Sequence, residues 1–158
     1  MGYYVSLEIA DFYIPTDKLD DAYKAVCQLN FNNSLKRAGG WPRPENIPND
    51  TPTEHLWFSW MDAFYHETCK NLAEVLEQLG FETVQNDDGL FIERYDSKSG
   101  QEDLFIAALA PFAKAEYADK PYMKWTGEEG ETWKIVVTDG KAYVHEVKDI
   151  VWSEGKPL

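Results

Sequence analysis

Between Tyr122 and Val147 three runs of alternating residues are separated by connections too short for anything but chain reversal. Gly127-Glu128-Glu129-Gly130 and Thr138-Asp139-Gly140 have turn composition, and Trp133, Ile135 and Val137 share one face of the middle run. Parallel pairing needs a crossover of about a dozen residues or more, so this stretch can only be an antiparallel meander of strands 122–126, 131–138 and 141–147. A second hairpin is expected where strands 81–85 and 90–95 flank Asn86-Asp87-Asp88-Gly89, with Gly89 supplying a positive φ. A further strand is read over residues 3–14. It sets Tyr3, Val5, Leu7 and Ile9 opposite Ser6 and Glu8, and Pro15 closes it.

Three segments have helical spacing instead. Thr16 is read as an N-cap ahead of Leu19, Ala22, Tyr23, Val26 and Cys27, a helix of about three turns. Met61, Phe64, Tyr65, Thr68, Cys69, Leu72, Val75, Leu76 and Leu79 form one apolar stripe ended by Gly80. Ser99 and Glu102 make a capping box before Leu104, Phe105, Ala108, Leu109 and Phe112, with Pro111 limiting the helix. The order is β-α-loop-α-β-β-α-β-β-β. This predicts a single α+β domain over residues 1–158: a mostly antiparallel sheet with about three helices on one face. Ile150 and Trp152 would add a terminal edge.

Residues 30–53 are rich in Asn, Gly and Pro, with a short helix expected at Ser34–Arg37. Loops beyond about 12–15 residues are uncommon in compact domains. The segment is either a functional loop or a connector pinned by Trp41 and its prolines. Its Gly and Asn content makes residues 38–53 the first expected protease site.

Charge narrows the partners. The chain carries 28 acids against 15 bases, a net charge of −13. Such a balance repels phosphate backbones and anionic lipid, which argues against direct nucleic-acid or membrane binding. The excess is concentrated: residues 61–120 hold 13 acids and 5 bases. No apolar stretch approaches a membrane span, and residues 1–15 lack the basic-then-apolar pattern of a secretory leader, so a cytoplasmic setting is expected. Cys27 and Cys69 fall on apolar helix sides and read as buried, reduced thiols.

Catalytic motifs do not emerge. The chain has no GxxxxGK[ST] loop, no GxGxxG after a strand and no GxSxG elbow. His66 and Cys69 stand at i and i+3, but no second His/Cys pair completes a zinc site. No catalytic residue, metal site or cofactor is therefore assigned.

Two surfaces remain. The acids Glu74 and Glu77, with Asp87 and Asp88 on the following turn and Glu128 and Glu129 on the tryptophan-flanked turn, form a candidate docking surface for a protein with a basic face. The alternative is a nucleotide-sized ligand held by Trp57, Trp60 and Tyr65 with Arg37 or Arg43, and with Lys36 beside them. Trp57, Trp60 and Tyr65 also fit core anchoring, and Trp125 with Trp133 fits a cross-strand aromatic pair.

Several segments occur together: Met1-Gly2-Tyr3-Tyr4, Tyr95-Asp96 through Gly100-x-Glu102, Ala108-Leu109-Ala110-Pro111-Phe112, the Trp125–Trp133 hairpin and Ile150-Val151-Trp152. In these the chain resembles small acidic bacteriophage-encoded proteins of unassigned function. The resemblance implies an accessory protein acting in a host bacterial cytoplasm, of the kind that blocks a host defence such as CRISPR or nucleotide signalling. It implies no catalytic residues.

Overall fold

The computed structural model describes residues 3–39, 56–98, 100–147 and 154–157. Trp41, Arg43, Ser99, Ile150 and Trp152 lie outside the described residues, as does nearly all of the expected protease site at 38–53.

One antiparallel sheet organises the chain. Its strands are β1 (Tyr4–Asp11), β2 (Tyr13–Pro15), β5 (Phe81–Gln85), β6 (Gly89–Lys98), β7 (Tyr122–Gly127), β8 (Thr132–Thr138) and β9 (Lys141–Glu146). β6 has β5 along one edge and β1 and β2 along the other; β1 then leads to β7, β8 and β9. Every pairing among the described strands is antiparallel; short connections require this for β5–β6, β7–β8 and β8–β9, and the long-range pairs β1–β6, β2–β6 and β1–β7 share it. A separate ladder joins β3 (Ala38–Gly39) to β4 (Leu56–Trp57).

The helices are α1 (Leu19–Leu29), α2 (Tyr65–Thr68), α3 (Leu72–Leu79) and α4 (Glu102–Leu109). They lie on one face of the sheet. Ala22 and Val26 of α1, Leu72, Val75, Leu76 and Leu79 of α3, and Phe105, Ile106 and Leu109 of α4 pack with the sheet's Val5, Leu7, Ile92, Met123, Trp125, Ile135 and Val137. The α+β, single-domain expectation holds. Trp125 and Trp133 face each other across β7 and β8, stacked at 6.4 Å between ring centres, and Trp125 also meets Phe81 and Tyr95. The cross-strand pair is therefore a core feature.

Four local expectations need correction. The 61–79 helix is two helices. Cys69 is extended at φ −85°, ψ 130°, and Asn71 restarts the chain as an N-cap whose Oδ1 accepts from Glu74 N at 2.9 Å. The Glu74 carboxylate in turn accepts from Lys70 N. The 3–14 strand is interrupted at Phe12, and a register shift between Leu7 and Ile9 turns Ile9 outward. Thr16 does not cap α1. Its Oγ1 donates to the Asp87 carbonyl at 2.9 Å, and its N–H donates to the Asp88 carbonyl at 3.1 Å. α4 starts after Gln101 as N-cap, and the Glu102 carboxylate accepts from Gly100 N at 2.7 Å.

Gly80 ends α3 at φ +118°, where a side chain would also meet the Tyr95 ring at 2.9 Å. Gly89 is bound to its residue type by packing as well as by φ: a Cβ there would stand 2.1 Å from the Ile14 carbonyl oxygen.

Candidate functional site

The Thr16 bonds decide how the acidic residues are grouped. They tie the start of α1 to the β5–β6 turn, so Asp17, Asp20 and Asp21 gather beside Asp87 and Asp88 at one end of the sheet. All five are exposed. None is in an ion pair among the described residues. Lys18 is interleaved with them in sequence, and Lys70 lines a recess with Asp20.

Glu77 is exposed on α3, outside this group. Glu74 is half-buried and committed to the Asn71 cap. Glu128 and Glu129 are exposed at the opposite end of the sheet. β1 and β2 run between Gly127, paired with Val5, and Gly89, paired with Pro15, which puts a strand length of roughly 30 Å between the two acidic turns. The Glu128 carboxylate accepts from Tyr4 N at 3.1 Å and its own N–H donates to the Tyr4 carbonyl, so this acid fastens the start of β1. The six acids expected to form one surface thus divide. Asp87 and Asp88 gain three aspartates that sequence reading passed over. The available signal was position at a helix start: Asp17 lies in the single turn Thr16–Lys18 that leads into α1, and Asp20 and Asp21 lie in the first turn of α1, where acids favour a helix N-terminus.

The aromatic group divides as well. Tyr65 is wholly buried and its hydroxyl donates to the Val26 carbonyl at 2.7 Å, which is core anchoring. Burial raises its phenol far above the usual range. Trp57 is half-buried in β4. Trp60 is 44% exposed and lines a recess with Arg37, Lys98 and Gln101. Arg37 and Trp60 are therefore brought together, while Trp57 and Tyr65 are not among the lining residues.

Lys36 is withdrawn from any ligand. It is fully buried, its ammonium donating to the Asn30 carbonyl at 2.8 Å and to Asn33 Oδ1 at 2.7 Å, with the Phe58 ring centre 5.7 Å away. Asn30 is the C-cap of α1, so this cation sits at the negative end of the helix dipole. Burial pushes its pKa down to about 8. Beside it the Asn30 side-chain amide donates to the Ala63 carbonyl at 2.9 Å and lies 2.6 Å from His66 Nδ1.

Among the described residues no group of His, Cys, Asp and Glu is arranged to hold a metal ion, and no helix is long and apolar enough to cross a membrane. Comparison with protein-family models, curated proteins and solved structures gives no match to this chain.

Proposed function

We propose that the protein is a non-enzymatic binding protein that docks a basic-surfaced partner on the acidic end built from Asp17, Asp20, Asp21, Asp87 and Asp88. One observation carries the reading. Two hydrogen bonds from Thr16 hold two acidic segments together that are seventy residues apart in sequence. Five exposed carboxylates with no ion-pair partner among the described residues raise the local negative potential and steer a cationic surface toward it. With the bacteriophage resemblance, the fitting partner is a host protein whose basic surface handles nucleic acid, and occupying that surface would inhibit it.

A pull-down from bacterial lysate tests this, using the wild type beside a variant carrying Asp20→Asn, Asp21→Asn, Asp87→Lys and Asp88→Lys. The variant moves the net charge from −13 to −7 without touching the buried core. The wild type should capture a basic protein in 0.1 M salt and release it in 1 M, where the Debye length falls from about 10 to about 3 Å. The variant should bind at least about tenfold more weakly, a loss of about 1.4 kcal/mol. Equal capture by both proteins, with the same salt response, overturns the reading.

A further inference from the structure

Chemistry of the opposite kind gathers where the 35–38 segment, the Ser59–Trp60 turn and the start of α4 meet. A recess of about 300 Å³ is lined by Arg37, Ser59, Trp60, Lys98, Gly100 and Gln101, with Ala38 at its margin. In a chain with 28 acids, none of the lining residues is acidic. Neither Arg37 nor Lys98 closes an ion pair among the described residues. In the first turn of α4 burial raises the Asp103 carboxyl and the Arg37 charge partly offsets that, the two forming no ion pair among the described residues.

The walls are cross-linked. The buried Gln101 side chain accepts from Arg37 N at 3.0 Å and donates to the Leu35 carbonyl at 2.6 Å, while Gln101 N donates to Ser59 Oγ at 2.8 Å. Trp60 is held by its edge: Nε1 donates to the Gln78 carbonyl at 3.0 Å, and Gln78 Oε1 accepts from Asp62 N at 3.0 Å. The indole is thus immobilised yet 44% exposed, so a ligand stacking on it has little ordering left to impose. Gly100 keeps the floor open, since a Cβ there would lie 2.3 Å from Ser59 Oγ and 3.3 Å from the Trp60 ring.

We propose that this recess binds a nucleoside monophosphate, the base stacked on Trp60 and the phosphate held between Arg37 and Lys98. A fixed aromatic face selects a planar ring. Two cations with no ion-pair partner among the described residues select an anion, and the Arg37 guanidinium fork matches phosphate geometry. The volume is at the small end for ligand pockets, which suits one base and one phosphate rather than a dinucleotide. The site lies outside the acidic end and goes beyond the docking role.

The test is titration of the 15N-labelled full chain with AMP, GMP, adenosine and inorganic phosphate, following the Trp60 indole N–H resonance and measuring affinity by calorimetry. At least one nucleotide should bind with a dissociation constant below about 1 mM and shift that resonance. Adenosine and phosphate should each bind at least tenfold more weakly. Arg37→Gln and Lys98→Gln should each cost about tenfold. Trp60→Ala should abolish binding, and Trp60→Phe, which keeps an aromatic face, should retain most of it. Absence of nucleotide binding at millimolar concentration overturns the proposal. So does phosphate binding as tightly as AMP, or affinity indifferent to Arg37→Gln in a protein whose amide spectrum shows it folded. The acidic-end variant should bind nucleotide as the wild type does, so this site and the docking surface fail independently.

Discussion

Lys36 makes a quantitative claim about stability. A buried ammonium with neutral acceptors and no ion-pair partner among the described residues is penalised by desolvation, which lowers its pKa from about 10.5 to about 8. Between those values the unfolded chain binds the proton that the folded chain has released. The unfolded state therefore holds more protons, and stability rises with pH across the window. From pH 7 to pH 9.5 the gain is about 2 kcal/mol. The unfolded thiols, near 9, titrate within this range and the unfolded tyrosines, near 10, at its upper edge; burial raises both kinds of group in the folded state, so they oppose the gain in the wild type. A Lys36→Met variant retains those groups, so the difference between the two proteins isolates the lysine. At pH 7 the variant removes the hydrogen bonds that Nζ makes to the Asn30 carbonyl and Asn33 Oδ1, at about 1–3 kcal/mol each, but is spared the desolvation penalty. The two effects nearly offset. At pH 9.5 the wild type has shed its penalty, and the variant should be less stable by about 2 kcal/mol more than at pH 7. Urea unfolding of both proteins at the two pH values measures this. A difference that stays flat within about 0.5 kcal/mol refutes the buried, unpaired ammonium.

Asn71→Ala removes the cap that restarts the chain after Cys69 and should cost about 1 kcal/mol in urea unfolding, whereas an uninterrupted helix would gain from the alanine. At Asp11, burial works to raise the carboxyl, but hydrogen bonds from the backbone N–H groups of Ala118, Glu116 and Tyr117 outweigh it and hold the pKa below its usual value of 3.8. Its contribution is present above pH 3.8 and is lost as pH falls through the lower folded value, so Asp11→Asn should flatten that part of the acid-stability profile. Burial raises both Cys27 and Cys69, so thiol labelling at pH 8 should be slow until denaturant is added; rapid native labelling of Cys69 would contradict its packing.

The parts of the fold legible in the sequence were those whose chemistry is local. Turn residues and strict alternation give the register of β7, β8 and β9 directly, including the Trp125–Trp133 pair. The break at 69–71 was hidden because Cys69 and Leu72 are both buried, so the apolar stripe runs straight through it. The overlooked signal was Asn71-x-x-Glu74, which has the spacing of a cap. Ile9 was misplaced because a register shift does not alter residue type. For the recess, Arg37 and Trp60 were readable as suitable residue types. Lys98 and Gln101 were not, because Gln101 meets Arg37 only through a bond spanning 64 positions and Lys98 shares only the lining of the recess with it.

The two charged sites sit toward opposite ends of α1, and the helix itself helps to separate them. Asp20 and Asp21 occupy its first turn, where carboxylates are favoured by about 0.3–1 kcal/mol each, and the Lys36 ammonium closes its last carbonyls. The acids of α1 therefore serve the helix as well as any partner. Replacing them with lysine would mix lost binding with lost helix stability, which is why neutral asparagine suits those positions. Asp87 and Asp88 cap no helix, and the contacts they give Thr16 come from their main-chain carbonyls rather than their carboxylates. Full charge reversal is tolerable there, with each exposed substitution expected to shift stability by under about 0.5 kcal/mol. If the acidic end is the docking surface, Asp87→Lys with Asp88→Lys alone should lower affinity and flatten its salt dependence at unchanged stability. Lost affinity accompanied by a matching loss of stability would instead trace the effect to the turn holding α1 in place.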